Sequence, residues 1–286
     1  MTEPNTVKLG RNNRLQVVKE SAYGLFLDGY DFGEILLPRR YSPEGCQPGE
    51  WLDVFVYADS EDRLIATTDT PKARVGEVAY LKAVAVNNTG AFVDWGLPKD
   101  ILVPFSEQAE RMREGYSYCV YLYVDRHSDR IVASSKLSKF LPEQSREHTV
   151  GQAVQLLICG KSDLGFKCLV DECFLALLHH GDVFQPITPG RKLEGFIKRI
   201  RPDGRIDLCL SAPGVNTQRS IEEQILQYLQ DNGGSAAIGD KSPPEEIYKL
   251  FECSKKNFKR GLSKLYKEQK ITIASDAISL ADGETH

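Results

Sequence analysis

One order of features recurs three times along the first three quarters of the chain. Each copy opens with a glycine and apolar residues, continues through short runs of β-branched and aromatic residues, and closes with an arginine-containing strand pattern. The copies extend over residues 24–68, 90–135 and 165–211, so their ends lie 44, 45 and 46 positions apart. A fixed period with a matched order of features indicates three copies of one structural unit.

Each unit is predicted to be a small β-barrel. In the second copy, the run 116–124 places Tyr, Tyr, Val, Leu and Val at alternate positions, which is the spacing of a strand. A polar turn over 125–129 and another short strand over 131–133 follow it. Several short strands separated by turns in this way favour a small closed barrel.

The last quarter of the chain has a helical pattern instead. Ser220 and Glu223 form a capping-box pattern ahead of apolar residues at helical spacing. Ser242 and Pro243 start a second such segment, and Ser254 starts a third. A short hairpin is predicted after the third segment, around Ser275 and Asp276. Three short helices followed by a hairpin are typical of a winged helix-turn-helix domain.

The barrel copies resemble the S-one-type RNA-binding barrel, an OB-fold variant first described in a ribosomal protein. The frame of that family runs G-x-F/V-V, then G-L-V-H-x-S, then G near V-x-V-x-x-V-D, then R-I-x-L-S. The first copy is the most divergent, and Pro38 and Pro104 stand where the family places a histidine. The second copy matches at Gly90, Phe92, Val93, Ser106, Gly115, Val124, Asp125, Arg130, Ile131 and Ser134, and the third at Gly165, Phe166, His179, Gly190, Arg205 and Ser211.

The order of three such barrels and a winged helix is similar to the bacterial conserved virulence factor B family. The run SPPEEIYKLFECSKKNFKRGLSKLYKEQKI near the carboxyl end carries this resemblance. The resemblance implies a bacterial RNA-binding protein that regulates gene expression.

The predicted fold class is multidomain and mainly β, with three tandem OB-fold (S-one-like) barrels followed by an α+β winged helix-turn-helix domain. The predicted domains are a divergent first barrel over residues 1–69, a second barrel over 70–144, a third barrel over 145–212 and the winged helix over 213–286.

The distribution of charge indicates where nucleic acid would bind. The formal net charge is −4, yet the first predicted barrel alone carries −5 and the other domains lie between −1 and +1. Residues 191–205 contain six basic and two acidic residues, and residues 254–270 contain seven basic and one acidic residue. Local patches decide binding, whereas whole-chain charge does not. The third barrel and the third helix are therefore predicted to carry most of the affinity.

Candidate RNA contacts on the barrels follow from how OB-folds bind. Aromatic side chains on the central strands stack bases, and basic side chains follow the phosphates. Phe92 is the aligned stacking position, but Phe is also commonly a core residue, and both interpretations stand. His179 aligns with the contact histidine of the family, with a structural role as the alternative. The predicted contacts are Phe92, Trp95, Arg126, Arg130, Phe166, His179, Arg199, Arg201 and Arg205.

Four cations of the third helix, Lys255, Lys256, Lys259 and Arg260, are also predicted RNA contacts. Lys255 and Lys256 lie in the first turn, where the helix dipole disfavours cations. Helix stability therefore does not explain them, whereas an incoming phosphate would. An ordinary solvated face is the alternative.

No catalytic, cofactor or metal pattern occurs in the sequence: it has no phosphate-binding loop, no Ser/His/Asp order and no Cys-x-x-Cys. The first residues, MTEPNTVKLGRNN, carry no apolar signal region, and no apolar run approaches the roughly 20 residues that span a bilayer. We expect a cytoplasmic, non-catalytic protein without cofactor, metal or membrane contact, with single-stranded RNA and secondarily other proteins as partners. An RNA-processing enzyme or accessory subunit, and a protein-binding scaffold, are the alternatives.

Overall fold

The computed structural model describes residues 6–145, 147–183, 186–211, 220–251, 253–274 and 277–281. The chain divides into two units, Met1–Phe140 and Leu141–His286. Over the described residues, the first unit contains two closed barrels, and the second contains another closed barrel followed by a helical domain. This confirms the predicted fold class.

All barrels share one strand order over the described residues. The first strand pairs with the second, the second with the third, the third in parallel with the fifth, and the fifth with the fourth, which returns to the first. Barrel one contains β1 (Arg11–Ser21), β2 (Gly24–Asp28), β3 (Glu34–Pro38), β4 (Trp51–Ala58) and β5 (Leu64–Thr67); barrel two contains β6 (Val78–Val86), β7 (Gly90–Asp94), β8 (Ile101–Pro104), β9 (Ser117–Val124) and β10 (Ile131–Ser134); barrel three contains β11 (Ala153–Lys161), β12 (Gly165–Val170), β13 (Phe174–His179), β14 (Lys192–Ile200) and β15 (Ile206–Cys209).

The side chains alternate between the interior of each barrel and its outer face. In β7, Ala91 and Val93 are fully buried, whereas Phe92 between them lies half-buried on the outside. In β12, Cys168 is fully buried, and Lys167 before it lies on the outer face. Burying one apolar side chain of Val or Leu size stabilises a fold by roughly 1.5–3 kcal/mol, so the inward residues hold each barrel and leave the outward ones available for binding.

The glycine that opens each repeat is required by a close approach of two strands. A Cβ at Gly24, Gly90 or Gly165 would lie 2.1, 2.3 or 2.1 Å from a carbonyl oxygen of the third strand. Any side chain there would force the second and third strands apart. The repeat of glycines therefore reflects the geometry of the barrel.

Barrels one and two are joined by an aromatic contact within the first unit. The ring of Trp95 in barrel two meets Phe55 and Tyr57 of β4 edge-on, at centroid distances of 5.5 and 6.1 Å. Burial raises the pKa of the Tyr57 hydroxyl to about 12. These side chains belong to the same hydrophobic cluster as the core of barrel two, so the two barrels pack as one unit.

The helical domain contains α1 (Ile221–Asp231), α2 (Pro244–Phe251) and α3 (Lys255–Lys267). Ser220 caps α1, because its side chain accepts a hydrogen bond from the Glu223 backbone N–H and the Glu223 side chain accepts one from the Ser220 N–H. The predicted capping box is thus present. The Ser254 side chain accepts from the Asn257 N–H and caps α3 in the same way.

A small sheet completes the winged helix. Its strands are β16 (Ser235–Ala236), β17 (Ile271–Ile273) and β18 (Ile278–Leu280), and over the described residues β18 lies between the other two. The sequence predicted the hairpin of β17 and β18 but not β16. The predicted turn residues Ser275 and Asp276 lie outside the described residues.

Among the described helices, none combines the length and the apolar character that crossing a membrane requires.

Candidate nucleic-acid interface

The strand registers define equivalent positions in the barrels. Gly165 at the start of β12 pairs with His179 at the end of β13, and Gly90 pairs with Pro104 in the same way. Barrel one repeats this contact between β2 and β3. His179 therefore occupies the position that the two other barrels give to a proline.

The second strand of each barrel presents one side chain outward, two positions after its glycine. This residue is Phe26 in barrel one, Phe92 in barrel two and Lys167 in barrel three, and each pairs with a leucine of the third strand. The aromatic position of the first two barrels is thus a cation in barrel three.

Two predicted contacts are buried. Phe166 is 7% exposed in the core of barrel three, where its ring meets His180 edge-on at 5.4 Å. Trp95 is 2% exposed and donates its Nε1–H to the Lys99 carbonyl oxygen at 2.7 Å. The structure therefore places both rings in packed cores, with no open face for a stacking base. Strand alternation after Gly165 could have identified Lys167 as the outward residue in place of Phe166.

A cleft of ≈ 320 Å³ lies on barrel two beside Phe92 and is also lined by Leu102, Lys99 and Arg130. Asp62, from the turn between β4 and β5 of barrel one, borders the same cleft. Its carboxylate lies 3.0 Å from Lys99 Nζ and also pairs with the Arg130 guanidinium. The predicted contacts Phe92 and Arg130 are therefore brought together, with an acid beside them.

Arg126 lies apart from this cleft. It is exposed in the turn between β9 and β10. It can therefore contact only a nucleic-acid strand that extends beyond the cleft to this turn.

The same cleft recurs on barrel three, with a volume of ≈ 280 Å³. It is lined by the exposed Leu164 at the tip of the β11–β12 hairpin, by Lys167, and by the predicted contact Arg205. Glu143, which precedes the barrel in the chain, pairs with Lys167 at 3.4 Å and with Arg205 at 3.3 Å. Here too an acid upstream of the barrel meets the cations of the cleft.

Three predicted contacts of barrel three converge on one buried carboxylate, Asp207 on β15. Arg199 donates to Asp207 Oδ2 at 2.7 Å, and Arg201 donates through Nε to Oδ1 at 2.9 Å. His179 Nε2 lies 3.0 Å from the same Oδ1. We call His179, Arg199, Arg201 and Asp207 the arginine–histidine cluster.

The cluster presents positive charge in a fixed orientation. Asp207 is 2% exposed, whereas the side chain of Arg199 is 66% exposed. Burial alone would raise the pKa of the Asp207 carboxyl, but hydrogen bonds from Arg201, Arg199 and His179 outweigh it and hold the pKa well below its usual range. One carboxylate under two guanidinium groups leaves excess positive charge, which suits a phosphate. Among the described residues, no group of His, Cys, Asp and Glu could hold a metal ion.

Asp207 was not among the sequence predictions. Its position lies in the run Ile206-Asp207-Leu208, where a single acid interrupts an apolar strand. A lone carboxylate in such a strand is buried at a cost unless cations satisfy it, and Arg199 and Arg201 lie shortly before it in the chain. That combination was the available signal.

The four predicted cations of α3 separate into two pairs. Lys255 donates to the Ser242 carbonyl oxygen at 2.7 Å and so ties α3 to the segment before α2. Lys259 Nζ lies 3.5 Å from Asp240. Both side chains therefore have partners within the helical domain.

Lys256 and Arg260 line a cleft of ≈ 670 Å³ between α3 and barrel three, and Arg260 also donates to the Asn257 side-chain oxygen at 2.7 Å. The barrel side of this cleft includes Asp182 and Cys209. Cys209 lies two residues beyond Asp207 on β15, and the turn that contains Asp182 follows directly on β13. Two residues of a strand span roughly 7 Å, so the cleft begins next to the arginine–histidine cluster.

Family models match most of the predicted domains. Residues 9–69 and 75–136 match a model described as "S1 domain", which is the S-one-type barrel. Residues 223–280 match a model described as "CvfB-like winged helix domain". The matching families are thus a binding barrel and a winged helix.

Known relatives are similar over most of the chain. "Uncharacterized protein YitL" of Bacillus subtilis is 26% identical over 93% of this chain and 92% of its own length. "Conserved virulence factor B" of Staphylococcus saprophyticus is 26% identical over 82% of this chain and 81% of its own. A crystal structure of a multidomain protein with nucleic acid binding domains from Streptococcus pneumoniae is 23% identical, covers 97% of this chain and 99% of its own, and has a TM-score of 0.42.

Proposed function

We propose that this chain belongs to the conserved virulence factor B family and that it is a non-catalytic protein that binds single-stranded RNA and so regulates gene expression. Its S1 domains support a nucleic-acid-binding role. Cellular RNA is the ligand we propose, and the cytoplasm, where that RNA lies, is the proposed location.

The observation that carries this proposal is the arginine–histidine cluster. A buried Asp207 fixes two guanidinium groups on the outer face of barrel three, and the exposed Arg199 has further N–H donors for a phosphate. Lys256 and Arg260 continue the positive charge across the adjacent cleft of ≈ 670 Å³. Cations in this succession suit the repeating phosphates of a nucleic-acid strand.

A single strand suits these surfaces better than a duplex. The cleft of barrel three combines the apolar side chains Leu164 and Leu177 with the stem and charge of Lys167, and the cleft of barrel two contains the ring of Phe92. Bases reach such clefts only when they are unpaired. RNA additionally offers a 2′-hydroxyl as donor and acceptor.

The proposal is tested by titrating the full chain against a fluorescent, unstructured RNA of about 15 nucleotides, a length matched to one or two OB-type sites. We expect tighter binding of this RNA than of a duplex DNA of the same sequence, and affinity that falls steeply with salt. Equal affinity for the two ligands would contradict the single-strand proposal. The labelled RNA should also stay intact with magnesium, manganese or zinc; cleavage that follows the protein through purification would favour the RNA-processing alternative.

A further inference from the structure

We infer that the carboxylates of Asp62 and Glu143 occupy the nucleic-acid clefts of barrels two and three. They compete there with RNA phosphates for the same cations and thereby lower the affinity for RNA. Each acid comes from the chain that precedes the barrel it faces. The inference rests on the proposed function and adds to it a device that sets how strongly the clefts bind phosphate.

The two clefts are the same site of the fold. Arg130 immediately precedes β10, and Arg205 immediately precedes β15, so the two arginines are equivalent. Phe92 and Lys167 are equivalent by register, and each lines its own cleft beside the leucine with which it pairs. An acid at this site in both barrels is therefore a recurring arrangement.

In barrel two the acid is held in place by its own turn. Asp62 has a φ of 61°, and its N–H donates to the Asp59 carbonyl oxygen at 3.0 Å. The Asp59 carboxylate in turn accepts two hydrogen bonds from the Arg63 side chain at 2.9 and 2.8 Å. The turn thus presents Asp62 to Lys99 and Arg130, and its carboxylate meets both cations as a phosphate oxygen would.

In barrel three the acid is held by the backbone on either side of it. The Leu175 N–H donates to the Pro142 carbonyl oxygen at 2.8 Å, and Gln144 forms a β-bridge with Arg205. Glu143 between them reaches Lys167 and Arg205. The chain that enters barrel three is therefore laid along the cleft, with its carboxylate on the cations.

These contacts leave the acids replaceable. The side chains of Asp62 and Glu143 are 41% and 35% exposed, and exposed ion pairs are individually weak. A strand of RNA brings several phosphates and gains from the release of its counterions. An RNA phosphate can thus displace either carboxylate, while the aromatic contact of Trp95 keeps barrels one and two together.

The test compares the variants Asp62→Asn and Glu143→Gln with the wild type in the RNA titration. Asn is well tolerated at a positive φ, so the turn is kept. Each variant removes one carboxylate that faces two cations, while Lys99 keeps its hydrogen bond to the Asp59 carbonyl oxygen at 2.6 Å and Arg205 its ion pair with Asp203 at 3.9 Å. We expect about five- to tenfold tighter binding near 0.1 M salt and a salt slope steeper by up to about 1.4. The controls are Asp129→Asn, at a positive φ of 52° in the corresponding turn of barrel two, and Glu114→Gln, an exposed acid outside both clefts.

A second comparison distinguishes an effect of the cleft on RNA affinity from a general effect of the altered net charge. Arg205→Gln should change affinity less than about twofold in the wild type, where Glu143 already neutralises it, and should cancel most of the gain in the Glu143→Gln variant. Equal affinity of the acid variants, the controls and the wild type would overturn the inference while leaving the proposed function intact. Absence of RNA binding by every variant and by the wild type would overturn both. Because the acids lie in different units, misfolding of one variant leaves the other as a test.

Discussion

Barrels two and three share one strand order, but the side chains on their outer faces differ in chemical character. Where barrel two has Phe92, Val132 and Tyr123, barrel three has Lys167, Asp207 and Arg199, as the registers of their strands define. The first face is apolar and aromatic, and the second is a set of cations over a buried acid. The barrel thus fixes where side chains stand, and the outward residues decide what they bind.

The difference assigns different tasks to the two barrels. An aromatic face stacks bases and is insensitive to salt, whereas fixed guanidinium groups hold phosphates and depend on salt. The cleft of ≈ 670 Å³ between barrel three and α3 also has Lys256 and Arg260 on its α3 side. We therefore expect barrel three and α3 to supply most of the affinity, and barrel two to add base contacts.

The largest effect is expected from giving barrel two the acid of barrel three. Val132 is buried, and the equivalents of Arg199 and His179 are Tyr123 and Pro104. Val132→Asp should lower the free energy of unfolding by about 3–5 kcal/mol, because a buried carboxylate is left without its partners. Urea unfolding measures this loss, and adding Tyr123→Arg should recover part of it. A loss below about 1 kcal/mol would show that this face tolerates charge.

The converse change, Asp207→Asn, should lower the free energy of unfolding by about 1.5–3 kcal/mol at pH 7. The pKa of Asp207 is lower in the folded chain than its unfolded value of about 3.9. The carboxylate therefore stabilises the fold above that value, and the stabilisation is lost as the pH falls below it. Urea unfolding at several pH values should show the wild type and the variant converging in acid. A difference that stays constant down to the lowest pH would contradict this.

The smallest effects are expected from the equivalent pair Phe92 and Lys167. Phe92→Ala should weaken RNA binding by about 1 kcal/mol with little change in the salt slope, because stacking carries no charge. Lys167→Ala in the Glu143→Gln background, where its carboxylate partner is gone, should instead flatten that slope by about 0.7, the value for one phosphate contact on a single strand. Titrations at several salt concentrations distinguish the two. The reverse pattern would mean that the faces have been assigned the wrong way round.

Local signals made most of the fold predictable. The repeated glycines mark a close approach of two strands, which no other residue allows. Ser220 with Glu223 and Ser254 cap helices through contacts within three residues. The strand β16 was missed because two residues pair with a distant strand and carry no periodicity of their own.

The site was less predictable, since it depends on contacts between distant segments. Trp95 has an aromatic ring that could stack on a base, yet Phe55 and Tyr57 from another barrel cover this ring. Lys255 has the charge of a phosphate contact, yet it bonds a carbonyl of the segment before α2. Arg199 and Arg201 were predicted from local charge, but only the strand pairing shows that Asp207 lies opposite Arg199 and orients these cations.

The joint surface of barrel three and α3 is tested most directly by the salt dependence of two double variants. Lys256→Ala with Arg260→Ala removes the two helix cations that line the cleft, and Lys249→Ala with Lys267→Ala removes two exposed cations that do not line it. Both variants lose the same charge and keep the apolar faces of their helices. We expect the first to flatten the slope of log affinity against log salt by about 1.4 and to weaken binding across RNA sequences, and the second to change this slope by less than about 0.3. Equal slopes for the two folded variants would contradict a role of α3 in holding RNA.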